Sequence, residues 1–339
     1  FDVSFGDKAE VPSVGILMMK NLGEGDEEFW SSGMTADLIT KVAGAGLIRV
    51  APLKEILNLD KELSIEAIAK KLRVKYILTH SFLIKDDEFD LWCKLENTET
   101  GVALFSNKIS EPMAMATQMV GKLANDIVTS LKVKTKQNMM EAPTANVEAY
   151  EYYLRAKSIY KAYDTNNDNY EIVRSLLLKA IELDNHLFEA KFLLGTTYMY
   201  LFGHIVDYEK PLEIFKSALI EAENLSDKKW KGQFLNKLGE IYYRKGDYEK
   251  AIDYCNSALR ISETINDKSI IGMSLYQLAQ IFNGLKDYDK TIEYHKRALN
   301  LREELNDKKL ISQSLHAISS YYFMNRDFVT AEKYLKKVL

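Results

Sequence analysis

The C-terminal half of this 339-residue chain repeats itself, and the period limits its fold more than any other feature does. Leu235, Leu275 and Leu315 fall at a spacing of 40, as do Asp247, Asp287 and Asp327. Tyr248, Tyr288 and Phe328 keep the same register, then Ala258 and Ala298, then Tyr254, Tyr294 and Tyr334. The connecting pairs Asp227-Lys228, Asp267-Lys268 and Asp307-Lys308 recur at that offset too. A fixed period of this length marks units that cannot bury an apolar face alone and must stack into a solenoid.

Within each unit the apolar spacing is helical. Leu235, Leu238, Gly239 and Tyr242 share one helix face, and Ala251, Ile252, Cys255, Ala258 and Leu259 form a second stripe. Gly246-Asp247 is the turn between them, so each unit reads as a helical hairpin with small residues where the helices meet. Leu238-Gly239, Tyr242, Gly246, Tyr248, Ala251 and Ala258 resemble the tetratricopeptide repeat pattern. A second unit carries Leu278-Ala279, Phe282, Tyr288 and Ala298 but has Thr291 at one small position, and a third carries Ile318, Tyr322, Phe328 and Ala331. An earlier unit shows Leu194-Gly195, Tyr198, Tyr208, Phe215 and Ala218, and a degenerate first one spans 152–183. This gives about five repeats over 148–339, roughly 148–186, 187–227, 230–268, 270–308 and 310–339. The excess of Tyr, 20 against 14 Phe and 3 Trp, then falls mostly between repeat helices. A period longer than the usual ~34 residues resembles the long-repeat subgroup of regulatory scaffolds and kinesin-light-chain-like proteins.

The N-terminal half has no such period. After a leader, 1–12, an α/β domain is expected over 13–132 and a linker over 133–147. Strands are expected at 13–22, 47–51, 76–84, 89–95 and 102–109, with helices at 27–42, 65–72 and 113–131. The last two strands read as a hairpin across Asn97-Thr98-Glu99-Thr100-Gly101. Several segments are similar to the amino-terminal domain of TolB and FlgO-like proteins. They are Val14-Gly15-Ile16-Leu17 with Lys20-Asn21, Phe29 with the run from Gly33 to Ile39, the run from Ile68 to Leu78, and Thr100-Gly101. Met18-Met19 and His80 depart from that pattern, where Pro-Phe and Gly are usual. The expected fold class is thus an α+β two-domain chain: a small TolB-like α/β domain and an all-α superhelical solenoid. The pairing resembles the C-terminal region of bacterial multidomain signalling proteins, where it follows a class III nucleotide cyclase, a kinase or a winged-helix DNA-binding domain. None of these is present in the sequence, and a start at Phe1 rather than Met reads as a fragment or processed product.

Composition excludes several classes. Lys+Arg 45 against Asp+Glu 49 leaves a net charge of −4, without the basic footprint that nucleic-acid binding needs. No apolar run approaches the ~18 residues of a membrane span. Cys93 and Cys255 allow no disulfide framework or C-x-x-C site, and a reducing compartment is the mild inference. His80, His186, His204, His295 and His316 have no metal-ligand spacing, so no metal or other cofactor is expected. Gly23-Glu24-Gly25 is crowded by Glu24, Asp26, Glu27 and Glu28, which would repel a phosphate. No nucleophile elbow, Ser-His-Asp grouping or P-loop is present, and catalysis by this chain is not expected, although a longer parent could carry a cyclase or kinase domain.

What remains is surface for binding. In such a stack the first helix of each hairpin lines a concave groove. Its groove-facing positions read Thr196 and Met199; Gln233, Asn236, Glu240 and Tyr243; Tyr276, Gln280 and Asn283; and Gln313, His316, Ser320 and Phe323. Amides and aromatics of this kind can hydrogen-bond a peptide backbone and cover its side chains. The same positions also suit a solvated groove or contact with a neighbouring chain. The set lacks the Lys/Arg and Asn clamp by which some relatives hold a C-terminal carboxylate. Tyr334, Leu335 and Val338 read as an uncapped end through which a homodimer could form. The expected role is a regulatory, protein-binding module of a cytoplasmic signalling protein. The alternative is a periplasmic envelope assembly factor, with small-ligand binding by the α/β domain, cations at the acidic Gly23 loop, as a third reading.

Overall fold

The structure, a computed structural model, describes residues 11–24, 28–45, 48–60, 62–133, 135, 138–162, 167–200, 208–304 and 308–337. The expected leader, His204 and much of the Gly23 loop therefore lie outside the described residues.

The N-terminal part is built on one mixed sheet. Its strands are β1 (Ser13–Ile16), β2 (Lys20–Asn21), β3 (Arg49–Val50), β4 (Tyr76–Lys85), β5 (Glu88–Asn97) and β6 (Ala103–Pro112). They lie in the order β3-β1-β4-β5-β6, with β2 also beside β4. β1, β2 and β3 run parallel to their neighbours, while β4, β5 and β6 form an antiparallel meander. Alternation sorts the two faces. Val14 and Ile16 join Leu78, Phe82 and Phe89 under helices α1 (Glu28–Gly44) and α4 (Ala116–Ser130). Gly15 points the other way, where an added Cβ would stand 2.8 Å from Ile77 Cδ1. That face packs Ile77 with Ala51, Ile56, Ile68 and Leu72 under α2 (Leu53–Leu57) and α3 (Ile65–Leu72).

The single strand expected at 13–22 is two strands. Its middle is claimed by side chains: His80 Nε2 donates to Leu17 O at 2.6 Å, and Met19 N donates to Thr35 Oγ1 at 3.0 Å. The short helix α2 carries too little periodicity to have been expected.

Among the described residues, the C-terminal part forms five helical hairpins. The first helices are α5 (Val147–Ala162), α7 (Phe188–Tyr200), α9 (Lys228–Arg244), α11 (Lys268–Gly284) and α13 (Lys308–Met324). The second helices are α6 (Asn167–Leu183), α8 (Glu209–Asn224), α10 (Tyr248–Ile265), α12 (Tyr288–Glu304) and α14 (Phe328–Leu335). The periodic aspartates are helix caps. Asp247, Asp287 and Asp327 accept from Lys250, Lys290 and Thr330 N–H, and Asp227 and Asp267 cap α9 and α11 alike. The periodic aromatics are stacks between the helices of one hairpin. Tyr242 on Tyr254, Phe282 on Tyr294 and Tyr322 on Tyr334 lie 5.4, 5.5 and 5.8 Å apart, within 7° of parallel. Tyr334 therefore packs on its own repeat rather than facing outward, while Val338 lies outside the described residues. Gly239 lets α10 approach, since a Cβ there would meet Cys255 Sγ at 2.4 Å.

The two parts share one apolar cluster, which runs from Val14 and Trp30 through Tyr150 and Leu154 to Leu194. The segment expected as a linker is packed: Met139 is buried, its carbonyl lies where a Cβ on Gly121 would clash, and Asn146 Nδ2 donates to Leu183 O. α1 lies along α5. A Cβ on Gly33 would stand 2.8 Å from Leu154, Ser32 donates to Ser158 at 2.6 Å, and Arg155 covers the Phe29 ring at 4.3 Å. At the centre, Asp37 accepts from Tyr150 hydroxyl at 2.7 Å, from Tyr153 hydroxyl at 3.2 Å and from Lys157 Nζ. Burial raises both tyrosine hydroxyls well above their usual range, so they remain donors.

Glu189, in the first turn of α7, faces Lys41 of α1, Lys157 of α5 and Lys229 of α9. Burial pushes its carboxyl up to about 7 against the pull of those lysines, and burial also lowers Lys41. A carboxyl raised on folding is ionised at greater cost in the folded state, so stability is full below its usual range and falls as pH rises through 7.

Two outcomes follow for denaturation measurements. Asp37→Ala should cost about 3–5 kcal/mol, because it removes the acceptor that Tyr150, Tyr153 and Lys157 share in a buried junction; a loss below about 1 kcal/mol, the level of a surface pair, would show that the latch carries little. Glu189→Gln should flatten the decline in stability between about pH 5 and 8; an unchanged slope would remove Glu189 as its source.

Candidate protein-binding surface

The groove-facing residues expected from the sequence do not all reach a surface. Thr196 and Met199 are buried: Thr196 Oγ1 donates to Phe192 O at 2.7 Å, and Met199 packs with Phe188, Leu212 and Phe215. Asn236 is also buried. Its Oδ1 accepts from Ser274 Oγ at 3.0 Å across the α9–α11 contact, and its Nδ2 has no hydrogen-bond partner among the described residues. These three are corrected to structural positions. A short amide at 236 turns inward to a small serine, whereas the bulkier Tyr276 and His316, one and two repeats on, stay exposed.

The remaining residues form a row along α9, α11 and α13. Gln233, Tyr243 and Gln280 are half-buried, and Asn283, Gln313, His316, Ser320 and Phe323 are exposed. Glu240 is held between Lys237 and Arg244, each at 3.0 Å, so its charge is spent within α9. Tyr243 packs on Tyr248. Tyr276 is 38% exposed, yet its ring is fixed by the edge of His295 at 6.2 Å and by the Arg302 guanidinium 5.4 Å from its centroid. An aromatic held rigid while exposed loses little freedom when a partner covers it. Met273, 37% exposed on α11, adds an apolar contact that the pattern did not single out.

Burial holds the cysteines and two of the histidines in their neutral forms. Burial pushes the Cys255 thiol up to about 12 and the Cys93 thiol up to about 11, the reverse of an activated nucleophile. Burial lowers His295 to about 4, helped by Arg302, and burial likewise lowers His80 to about 4. Both rings are therefore neutral at pH 7. Among the described residues, no three His, Cys, Asp or Glu side chains gather as metal ligands. No described helix is long and apolar enough to cross a membrane.

In the first repeat the corresponding face is occupied from within. Tyr150, Tyr153 and Lys157 follow the same three-then-four spacing as Gln233, Asn236 and Glu240, and they hold Asp37 of α1. That spacing was visible in the sequence, but nothing local to α5 marked a helix more than a hundred residues earlier as its occupant. The α/β domain has a separate basin of about 520 Å³ over the open face of β4–β6, lined by Lys20, Lys94, Lys108, Trp92, Ser81 and Ser106 among others. It is distinct from the acidic Gly23 loop, and two of its lysines are paired, Lys94 with Glu96 and Lys108 with Asp90.

No curated protein compared with this chain matches it. Several solved structures are similar over part of its length. BtubC from P. vanneervenii is 18% identical with a TM-score of 0.48, covering 56% of this chain and 77% of that one. A signal transduction ATPase with a tetratricopeptide repeat sensor from Pyrococcus horikoshii is 21% identical at TM-score 0.46, covering 66% of this chain but 34% of that one. TolB from Acinetobacter baumannii is 14% identical at TM-score 0.28, covering 36% of this chain and 28% of that one. The chain thus spans about a third of the ATPase and less of TolB. Tetratricopeptide repeat models match residues 233–264 and 270–339, the hairpins from α9 onward. The hairpins from α9 onward are therefore tetratricopeptide repeats, continuing the helical hairpins of α5–α8.

Proposed function

We propose that this chain is a non-catalytic regulatory module of a larger bacterial signalling protein, in which the solenoid takes a protein segment along α9, α11 and α13. The α/β domain, read as TolB-like from the residues it shares with that family, is fixed to the solenoid by α1. An effector domain of the parent, a nucleotide cyclase, kinase or DNA-binding domain, would receive the signal in the cytoplasm. The observation that carries the reading is the row of exposed Tyr276, Asn283, Gln313, His316 and Ser320, with half-buried Gln280 among them. These are hydrogen-bonding and aromatic groups of the kind that hold a peptide segment. The junction supports a coupled response, because α1 belongs to the sheet's core and to the first repeat's face at once.

The test is a pull-down from the native lysate with the whole chain. A variant carrying Tyr276→Ala, Gln280→Ala and Asn283→Ala should lose most of any partner that the wild type holds, while keeping its unfolding midpoint within a few degrees, since these residues are only partly buried. Capture of the same proteins by both would place the binding elsewhere and sink the groove reading.

A further inference from the structure

The sheet of the α/β domain has one face turned away from α1. Leu78, Phe82 and Leu91 pack under α1 and α4, so alternation sends Thr79, Ser81, Trp92 and Lys94 to the other side. Helices α2 and α3 cover that side at Ile77, and the basin of about 520 Å³ opens beside them. A cleft of this volume suits a small molecule. Leu17 and Met18 form one wall: they pack against the α2–α3 cluster, and the His80 bond to Leu17 O fixes the bend between β1 and β2.

A cross-strand row runs over the floor. Lys20 of β2 stands opposite Ser81 of β4, Ser81 opposite Trp92 of β5, and Trp92 opposite Lys108 of β6. Trp92 is half-buried and meets no other aromatic ring among the described residues. Lys108 Nζ lies 5.0 Å from its centroid, whereas on the opposite side the short Ser81 leaves a notch between the indole and Lys20. An indole held on one side and open on the other is a surface for a flat ring.

Charge narrows the class of ligand. Lys20, Lys94 and Lys108 line the basin, and no described carboxylate does. Asp90 and Glu96, on the same face of β5, take up Lys108 at 2.9 Å and Lys94. Lys20 is exposed and has no carboxylate partner among the described residues. Glu24 follows Leu22, which bonds to Phe82 O further along β4, and lies outside the lining. We propose that this face binds a small aromatic anion, its ring beside Trp92 over Ser81 and its anionic group at Lys20. The site lies on the side of the sheet away from α1 and the solenoid, so it stands or falls independently of the groove.

Fluorine NMR on the whole chain labelled with fluorotryptophan tests the site. The chain has three tryptophans, Trp30, Trp92 and Trp230, and Trp92→Phe assigns the resonance of interest. The probes are adenosine monophosphate and benzoate, which carry the same chemistry as a phosphate ester and as a carboxylate. At least one should move the Trp92 resonance to saturation with a Kd below about 1 mM, leaving Trp30 and Trp230 in place. Whichever binds more tightly names the anionic group. Lys20→Ala, a substitution at an exposed position, should weaken that probe at least about fivefold. Adenosine and benzyl alcohol, which keep the ring without the charge, should bind at least about tenfold more weakly, as should inorganic phosphate and acetate, which keep the charge without the ring. A Trp92 resonance that neither probe moves would overturn the proposal. So would equal binding by the Lys20 variant, or equal binding of the uncharged or ringless controls.

Discussion

Asp37 of α1 accepts hydrogen bonds from Tyr150, Tyr153 and Lys157 of α5, and the relation between the two halves of the molecule depends on that contact. A carboxylate away from water is costly unless its lone pairs are filled, and here three donors from one helix face fill them. The surroundings are apolar. Gly33 brings the α1 backbone against Leu154, and Trp30 meets both Phe89 of the sheet and Tyr150 of the solenoid edge to face. α1 is consequently a shared wall, holding the sheet on one side and the first repeat on the other. A load on the solenoid reaches the sheet through packed side chains rather than through a flexible tether.

The rest of the solenoid is assembled from one local recipe used repeatedly. In the last three hairpins an aspartate caps the second helix and a parallel aromatic stack joins the two helices, and in the third Gly239 lets them close. With stacking satisfied by those groups, the groove-facing positions of the first helices are released for other uses. The chain uses them differently along its length. In the first repeat they hold α1, in the third Asn236 is drawn into the α9–α11 contact, and in the fourth and fifth they stand open. The result is a solenoid whose first repeat holds the chain's own α/β domain while groove-facing residues of its fourth and fifth repeats are exposed.

Much of this architecture could be read from residues alone. Helix α3 falls at 65–72 as its spacing predicts, the β5–β6 hairpin turns at Gly101, and the periodic aspartates and tyrosines sit on the period of 40. The errors also have physical causes. The first strand was broken by side chains of β4 and α1 that bond to its backbone, and Thr196, Met199 and Asn236 left the groove because neighbouring helices offered them partners. The groove positions were chosen by helical phase, and phase says which way a side chain points, not what stands in front of it.

The sequence by itself determined the repeat, the hairpin and the residue types that build them, because caps, stacks and apolar stripes act over a few residues or one period and leave their signature at fixed spacings. Only the tertiary structure decided that Asp37 belongs to α5, that Glu189 lies among Lys41, Lys157 and Lys229, and that Met139, Thr144 and Asn146 of the expected linker are packed. Those contacts join polar groups far apart in the chain, where no period links them. An aspartate on a helix reads the same in sequence whether it faces water or three buried donors.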